Sequence, residues 1–457
     1  MRKYGSTLAV VLLAFCGSQQ AGLTEKRAAS SAPKKLTAEA FDSGFALSHA
    51  TFNGMKVASD GKIYYVLCAD SIDTGAQMYS YDPATDKIQH LGDLTEASGE
   101  KGLKAIPQGK SHVNFVEWQG KLYFATHLGH YTIQNGMEKM GVPKPGYKPY
   151  PGGHFLAYDM ASGKFENLAN APAQQGILAM SMDPQRGRLY GLTWPSGYFI
   201  RFDMKTGDLK NLGATSKEGE AGNGSAYRVL CRSLSLDPED GSVYMTTADG
   251  DILRYRYDHD SLETVPGENL CKDYFGSYNP SAGKTMGYNW RQTFWYAPEK
   301  MIYGLHGGSG YLFRFDPGKP RVDVIERLTS EPSKRSGMRD SFEYGYLGFA
   351  LGPDGRTVYY LTTGPAGEGA PPTRRGRQEE NLRLVTYDIP AAHYEDHGAI
   401  FLGDGQRPTQ VHSIAVAKDD TVYALASFTR NGHKLTDLIR IRLPEGKLRA
   451  SHLSSTY

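Results

Sequence analysis

The chain has 457 residues, with 53 Gly, 24 Pro and 30 Tyr, 40% hydrophobic and 22% charged. That is enough apolar material for a large packed core and too little charge for a disordered chain. Fifty-one Lys and Arg against 49 Asp and Glu leave a formal charge of +2, so the polycationic footprint that phosphate-backbone binding requires is missing, and nucleic acid is not an expected partner.

In chain order, residues 1–22 read as an export signal: Arg2 and Lys3, an uncharged apolar run from Leu8 to Phe15, then small and polar residues. The run is too short to span a bilayer. Its end, Leu13-Ala14-Phe15-Cys16-Gly17, resembles a bacterial lipoprotein lipobox with Cys16 acylated, although Phe15 is bulkier than the usual residue there. Two outcomes stay open, a lipid anchor on Cys16 or cleavage further along. Either places the protein outside the cytoplasm of a bacterial cell: periplasmic, anchored at the outer membrane or secreted. Residues 23–44 are rich in Ala, Ser and Lys without periodicity and read as a solvated tether. Cys68, Cys231 and Cys271 remain, an odd number. Cys231 with Cys271 is the first pair to test for a disulfide, with buried free thiols as the alternative.

From residue 45 onward one phrase recurs: a turn with Gly or an acidic residue, then an aliphatic residue, Tyr and further β-formers. Its tyrosines are Tyr64, Tyr123, Tyr190, Tyr244, Tyr303, Tyr359 and Tyr423, at spacings of 54 to 67 residues. An aromatic-Asp pair closes a later strand in six units (Tyr81-Asp82, Tyr158-Asp159, Phe202-Asp203, Tyr257-Asp258, Phe315-Asp316, Tyr387-Asp388), and Ile439-Arg440-Ile441 stands there in the seventh. An apolar strand before each tyrosine and an alternating strand after each pair make four antiparallel strands per unit. Seven such units predict an all-β, seven-bladed β-propeller over 45–457. Gly then serves the turns, and the repeat tyrosines the core.

Loops on one face of such a propeller are uniformly tight. The other face carries 132–153, 214–227, 267–287, 329–342 and 364–381. A scaffold that trims one face and elaborates the other is expected to bind at the elaborated one. Strand ends that line the channel mouth there supply His112, His127, Trp194, Tyr198, Arg228, Arg232, Tyr288, Asn289, Arg291, His306, Tyr344 and His412, with no Asp or Glu. The lack of paired carboxyl groups argues against a glycosidase and against a hard-cation site, and no serine sits in a nucleophile-elbow context. His130 and His154 read as structural. Arg374, Arg375 and Arg377, with Lys139, Lys144 and Lys148, read as solvated charge in long loops.

His, Tyr and Arg together suit an anionic sugar. Arg orients a carboxylate, an aromatic ring stacks on the sugar, and His or Tyr exchanges a proton. These are the parts of a uronate β-elimination, in which stabilising the enolate-like state is worth about 3–4 kcal/mol per well-placed donor.

Lys110-Ser111-His112-Val113, Ala125-Thr126-His127-Leu128-Gly129 and Trp194-Pro195-Ser196-Gly197, with the seven-unit pattern, resemble the propeller-fold polysaccharide lyases, most closely the ulvan lyases. The resemblance covers most of the chain after residue 45. It implies a canyon across one face, with His112 and His127 in the histidine roles, Arg228 as carboxylate clamp, and Tyr288 or Tyr198 as proton-transfer tyrosine. Trp194, Arg232, Asn289, Arg291, His306, Tyr344 and His412 are the expected substrate-binding residues. The more distantly similar oligogalacturonate lyases use a His and Gln metal cluster, which Gln410, His412 and His306 match in part. The cofactor is therefore either none or a divalent ion, Zn, Ca or Mn. The expected partner is an anionic polysaccharide bound by a monomer. The competing expectation is a carbohydrate-binding propeller without chemistry, and a lactonase- or quinoprotein-like propeller ranks third.

Overall fold

A computed structural model describes residues 35–280, 286–331, 334, 348–362 and 382–443. The first blade is built from Met55–Val57, Ile63–Ala69, Gln77–Asp82 and Lys87–Asp93. Four-stranded antiparallel blades follow over 116–170, 176–214, 235–269, 290–327 and 349–402. The innermost strands touch in sequence around the ring. Gly176–Asp183 meets Ser235–Leu236, which meets Trp290–Tyr296, then Phe349–Leu351, then Gln410–Val416, and this last strand meets Met55–Val57. The architecture is a seven-bladed β-propeller.

The seventh blade is composite. Gln410–Val416, Val422–Arg430 and His433–Ile441 come from the end of the chain, and the fourth strand is Lys35–Ala40 from its beginning. Lys35–Ala40 pairs antiparallel with His433–Ile441, Ala38 opposite Ile441, and parallel with His393–Leu402 of the sixth blade, Leu36 opposite Ile400. The expectation of a tether over 23–44 is corrected here, and the propeller begins at residue 35 rather than 45. The physical reason is a period-2 pattern: in Lys35-Leu36-Thr37-Ala38 the apolar residues point inward and the polar ones face solvent. Beyond the strand, Ser43 donates from its backbone N–H to Asp437 Oδ2 at 2.9 Å and from its hydroxyl to Oδ1 at 2.6 Å. Residues 1–34, with the expected signal and Cys16, lie outside the described residues.

All seven repeat tyrosines are buried. Their rings fill the space between neighbouring sheets, and three of the hydroxyls reach carboxylates in the tight turns: Tyr64 donates to Asp60 at 2.9 Å, Tyr303 to Glu299 at 2.7 Å and Tyr359 to Asp420 at 2.8 Å. The last bond crosses from the sixth blade to the seventh. In those three blades a carboxylate at the tip of the buried phenol accounts for Tyr in place of Phe, whereas the Tyr190 hydroxyl is enclosed without a partner. On the elaborated face, part of 132–153 folds as a hairpin of Tyr131–Gln134 with Met137–Met140, and 214–227 contains two short 3-10 turns, Gly219–Ala221 and Gly224–Ala226. Cys231 and Cys271 are both free, Cys231 buried and Cys271 exposed. The expected pairing is corrected: each thiol points to its own carbonyl, Cys231 to Ser233 and Cys271 to Asp249, at 3.2 Å.

If Lys35–Ala40 closes the ring, Leu36→Ala lowers stability by about 2–5 kcal/mol, whereas Thr37→Ala, on the exposed side of the same strand, stays within about 0.5 kcal/mol of the parent. Equilibrium denaturation of the two variants checks this.

Candidate functional site

Lys110 and His127 face each other across an isolated antiparallel bridge, exchanging N–H to carbonyl bonds of 2.8 and 2.7 Å. Directly opposed residues of such a bridge place their side chains on the same side, and in extended chain His112 shares that side with Lys110 while Ser111 turns away. Ser111 accordingly bonds back to the Ala125 carbonyl at 2.9 Å. Lys110, His112 and His127 thus converge because of a two-residue period on one segment and a register on the next. The His112 and His127 rings lie 5.1 Å apart. Residue exposures are 6% for Lys110, 9% for His112 and 1% for His127.

Phe52, half-buried on the loop that enters the first blade, is the floor. Its ring stacks on His112 at 4.8 Å and meets His412 edge-on at 5.6 Å. Tyr131 and Trp194 form the far wall: Trp194 lies 5.6 Å from both His127 and Tyr131. The Lys110 ammonium sits over the Tyr131 ring at 4.5 Å and within 5.6 Å of Phe52. Asn53 fixes the whole across the channel. Its side-chain amide donates to the His112 carbonyl at 3.1 Å, its backbone N–H donates to the His412 carbonyl at 2.9 Å, and its side-chain oxygen accepts from Gln292 at 2.8 Å. Blades one, two, five and seven are tied through that one residue.

The electrostatics follow from burial. His127 Nδ1 lies 3.0 Å from the Leu128 carbonyl. The Tyr131 hydroxyl donates to the same carbonyl at 2.9 Å and lies 3.2 Å from Nδ1, so a proton on Nδ1 suits both contacts and leaves Nε2 with a bare lone pair. That nitrogen is enclosed and has no hydrogen-bond partner. Burial lowers the His127 pKa to about 3, with Lys110 and Arg232 pushing the same way. His112 is held well below the usual imidazole range, first by burial and then by His127, Lys110, Arg232 and Arg291. His412 is lowered to about 3 by burial, then by His49, Lys434 and Lys110. Burial drives the Tyr131 hydroxyl well above the ordinary phenol range, so it remains protonated. The site is a cluster of neutral imidazoles and an un-ionised phenol beside an ammonium.

Of the expected residues, His112, His127, Trp194 and His412 come together here. Arg291 is buried close enough to oppose protonation of His112. Several others are engaged elsewhere. Arg228 donates from Nε to Asp249 at 2.6 Å and from Nη1 to the carbonyls of Ser225 and Tyr227 at 2.8 and 2.7 Å, which commits the expected carboxylate clamp to its own loop. Arg232 is ion-paired with Glu220 at 2.6 Å. Asn289 is an internal strut between Thr246 and the Val229 carbonyl, both at 3.0 Å. His306 stacks flat on Phe275 at 4.1 Å and bonds Ser309 at 2.9 Å. Among the described residues no hydrogen bond or ring contact joins Tyr198 or Tyr288 to the histidine pair, and the Tyr288 hydroxyl donates to the Gly276 carbonyl at 3.0 Å. Tyr344, Arg374, Arg375 and Arg377 lie outside the described residues.

The expectation of no carboxylate at the mouth is corrected by Glu220. The turn around it folds back, its backbone N–H bonding the Pro195 carbonyl at 2.8 Å. The buried carboxylate then accepts from Trp194 Nε1 at 2.8 Å and the Leu230 N–H at 2.9 Å, besides pairing with Arg232. Held by three donors, it braces the wall and is not one of a catalytic carboxyl pair. Sequence reasoning also passed over Lys110, Phe52, Tyr131 and Gly176. A Cβ on Gly176 would lie 2.9 Å from the His127 ring, so only glycine admits the imidazole there. The expected Zn, Ca or Mn finds no fitting donor set: among the described residues no three His, Cys, Asp or Glu side chains converge on one point, and the ammonium beside His112 and His127 would repel a cation.

No protein-family profile matches the chain, and no curated protein matches it in sequence. Among solved structures it is similar to a chain of the mitotic checkpoint complex, at 10% identity and a TM-score of 0.49, covering 95% of this chain and 99% of that one. It is also similar to a protein provisionally assigned as a 6-phosphogluconolactonase from Bacteroides uniformis, at 13% identity and a TM-score of 0.42, covering 75% of this chain and 82% of that one.

Imidazole nitrogen shifts should show His127 neutral and protonated on Nδ1 at about pH 5, where an ordinary histidine is mostly charged. Gly176→Ala should disturb that resonance. A His127 that titrates near the ordinary value would contradict the enclosure described here.

Proposed function

We propose that the protein is an exported polysaccharide lyase, similar to the ulvan lyases, that cleaves a uronate-containing polysaccharide by β-elimination. The observation that carries this reading is the adjacent neutral pair His112 and His127, set between an aromatic floor and an ammonium at the mouth of the propeller. In the reaction a base removes the proton on C5, the C4–O bond breaks, the C4–C5 double bond forms, and the leaving oxygen takes a proton; no oxidant or reductant is needed. His112, the more exposed of the pair, is assigned as the base. His127 holds it in place by ring contact at 5.1 Å. Tyr131, kept un-ionised by burial, is assigned as the donor to the leaving oxygen in place of Tyr288 or Tyr198; its hydroxyl bonds the Leu128 carbonyl at 2.9 Å and would turn from it to the sugar. Phe52 is the stacking platform that Trp194, enclosed and bonded to Glu220, does not offer. Export, with Cys16 as the lipid-anchor candidate, would bring the enzyme to a polyanion outside the cytoplasm.

The enclosed Nε2 of His127 favours a second reading, a carbohydrate-binding propeller without chemistry. Incubation with ulvan, pectate and glycosaminoglycans separates the two: a lyase generates the ultraviolet absorbance of an unsaturated uronate, and a binding protein retains the polymer without it. His112→Ala should reduce kcat by about 100- to 10,000-fold with the fold intact; full activity in that variant would remove the mechanism.

The pH profile tests the same assignment. The working form of His112 is neutral and its proton affinity in the free protein is depressed, so the acid limb of kcat/KM lies below the ordinary imidazole value of 6.5 and activity is lost as pH falls through it. A limb at or above that value would point to another base.

A further inference from the structure

Lys110 is the only lysine among the described residues that is buried, and none of them offers its ammonium a carboxylate or a hydrogen-bond acceptor. Two other lysines on the elaborated face are satisfied: Lys139 by the carbonyls of Glu220, Ala221 and Gly222 at 2.8 to 3.1 Å, Lys144 by Asp73 at 2.5 Å. Lys110 has ring faces alone, Tyr131 at 4.5 Å and Phe52 at 5.6 Å. Aromatic faces attract a cation but supply no counter-charge, and the ammonium tip is not enclosed, which leaves it open at the mouth of the channel. The backbone bridge to His127 holds the lysine stem in place on the histidine side. The two arginines nearest in the sequence argument, Arg228 and Arg232, already hold Asp249 and Glu220.

We infer that Lys110 is the anchor for the carboxylate of an acidic sugar lying on Phe52, the ligand supplying the counter-charge that the protein withholds. This rests on the uronate reading of the site and deepens it by assigning the carboxylate contact to Lys110 in place of Arg228. A carboxylate on the Lys110 ammonium puts the adjoining ring carbon, and its proton, beside His112. The aromatic pair below and beside the ammonium leaves it an approach from the sugar side only, which selects for a carboxylate attached to a flat-lying ring.

The test is calorimetric binding of ulvan oligosaccharides and oligogalacturonides, each before and after chemical reduction of the carboxyl groups. Wild type should bind the native sugars at least about 10-fold tighter than the reduced ones. Lys110→Met should bring the native sugars down to the level of the reduced ones and leave the latter unchanged. Lys110→Arg should keep part of the discrimination. Thermal midpoints show that the variants fold, and Lys110→Met, which keeps an unbranched stem beside Tyr131 and Phe52, should stay close to the parent. Equal loss for native and reduced sugars, no loss, or no binding of the native sugars by wild type would overturn the assignment. Its failure is separable from that of the lyase reading. Carboxylate-dependent binding with no unsaturated product retains Lys110 and removes the lyase; unchanged kcat/KM in Lys110→Met does the reverse.

Discussion

Closure of the ring by Lys35–Ala40 governs where everything else in this protein can be. A propeller blade has an apolar face on each side, and the first and last blades bury theirs only against each other. Here strand pairing across the chain ends secures the contact: the amino-terminal strand completes the seventh blade and continues, parallel, onto the outer strand of the sixth. On the other side Arg440, in the strand that Lys35–Ala40 pairs with, donates to Tyr81 of the first blade at 2.6 Å. Phe52, His112 and His412 come from segments separated by up to 360 residues in sequence, and they touch only because those blades are neighbours around a closed ring.

Within the ring, the polar groups at the channel mouth are held by backbone rather than by one another. Asn53 reads the carbonyls beside His112 and His412 and is itself read by Gln292. Its left-handed backbone, with φ at 60°, is one that Asn tolerates better than most residues. A buried polar network of this kind is rigidifying when its members are satisfied. At the mouth it leaves the lone pair of His127 without a partner, beside the unpaired ammonium of Lys110. The carboxylates nearby are consumed in bracing, Glu220 by Arg232, Trp194 and Leu230, and Asp249 by Arg228. The wall is therefore neutralised while the cavity floor keeps a positive bias.

The fold was legible in the sequence because its repeat is carried by residues whose burial is not negotiable. A tyrosine that packs its ring between neighbouring sheets leaves the same turn-aliphatic-Tyr phrase in every blade. The closing strand was missed because Leu36 and Ala38 are its sole inward residues in a stretch of Ala, Ser and Lys, and a strand whose partner lies near residue 440 has no local turn to announce it. At the site, strand-end position puts His112 and His127 on the elaborated face with ten other residues, and only the resemblance singles them out. Arg228 and Tyr288 were misplaced for a common reason: strand ends give the face on which a residue lies but not which neighbour captures its side chain, and loop residues such as Asp249 and Gly276 do the capturing. Lys110 stood inside a quoted motif and carried no signal of its own, since its significance is the absence of a partner, which only the assembled structure displays. Glu220 was hidden for the opposite reason, in a loop whose return to the mouth depends on two 3-10 turns.

The choice of lysine at the mouth has a consequence for the histidines beside it. An ammonium over ring faces exerts its full field on His112 and His127, because no carboxylate screens it at close range, and that field adds to burial in keeping both imidazoles neutral. Neutral is the form a base requires, yet an imidazole whose proton affinity is far below the working pH is a feeble one. Under the uronate reading the two requirements meet on binding. The sugar carboxylate cancels the field of Lys110 and brings a negative charge of its own, which raises the proton affinity of His112 at the moment a proton is to be taken. An arginine paired to Glu220, as Arg232 is, would provide no such change, since its charge is already balanced before the ligand arrives. On that reading the unpaired lysine couples recognition of the carboxylate to the basicity of the neighbouring ring.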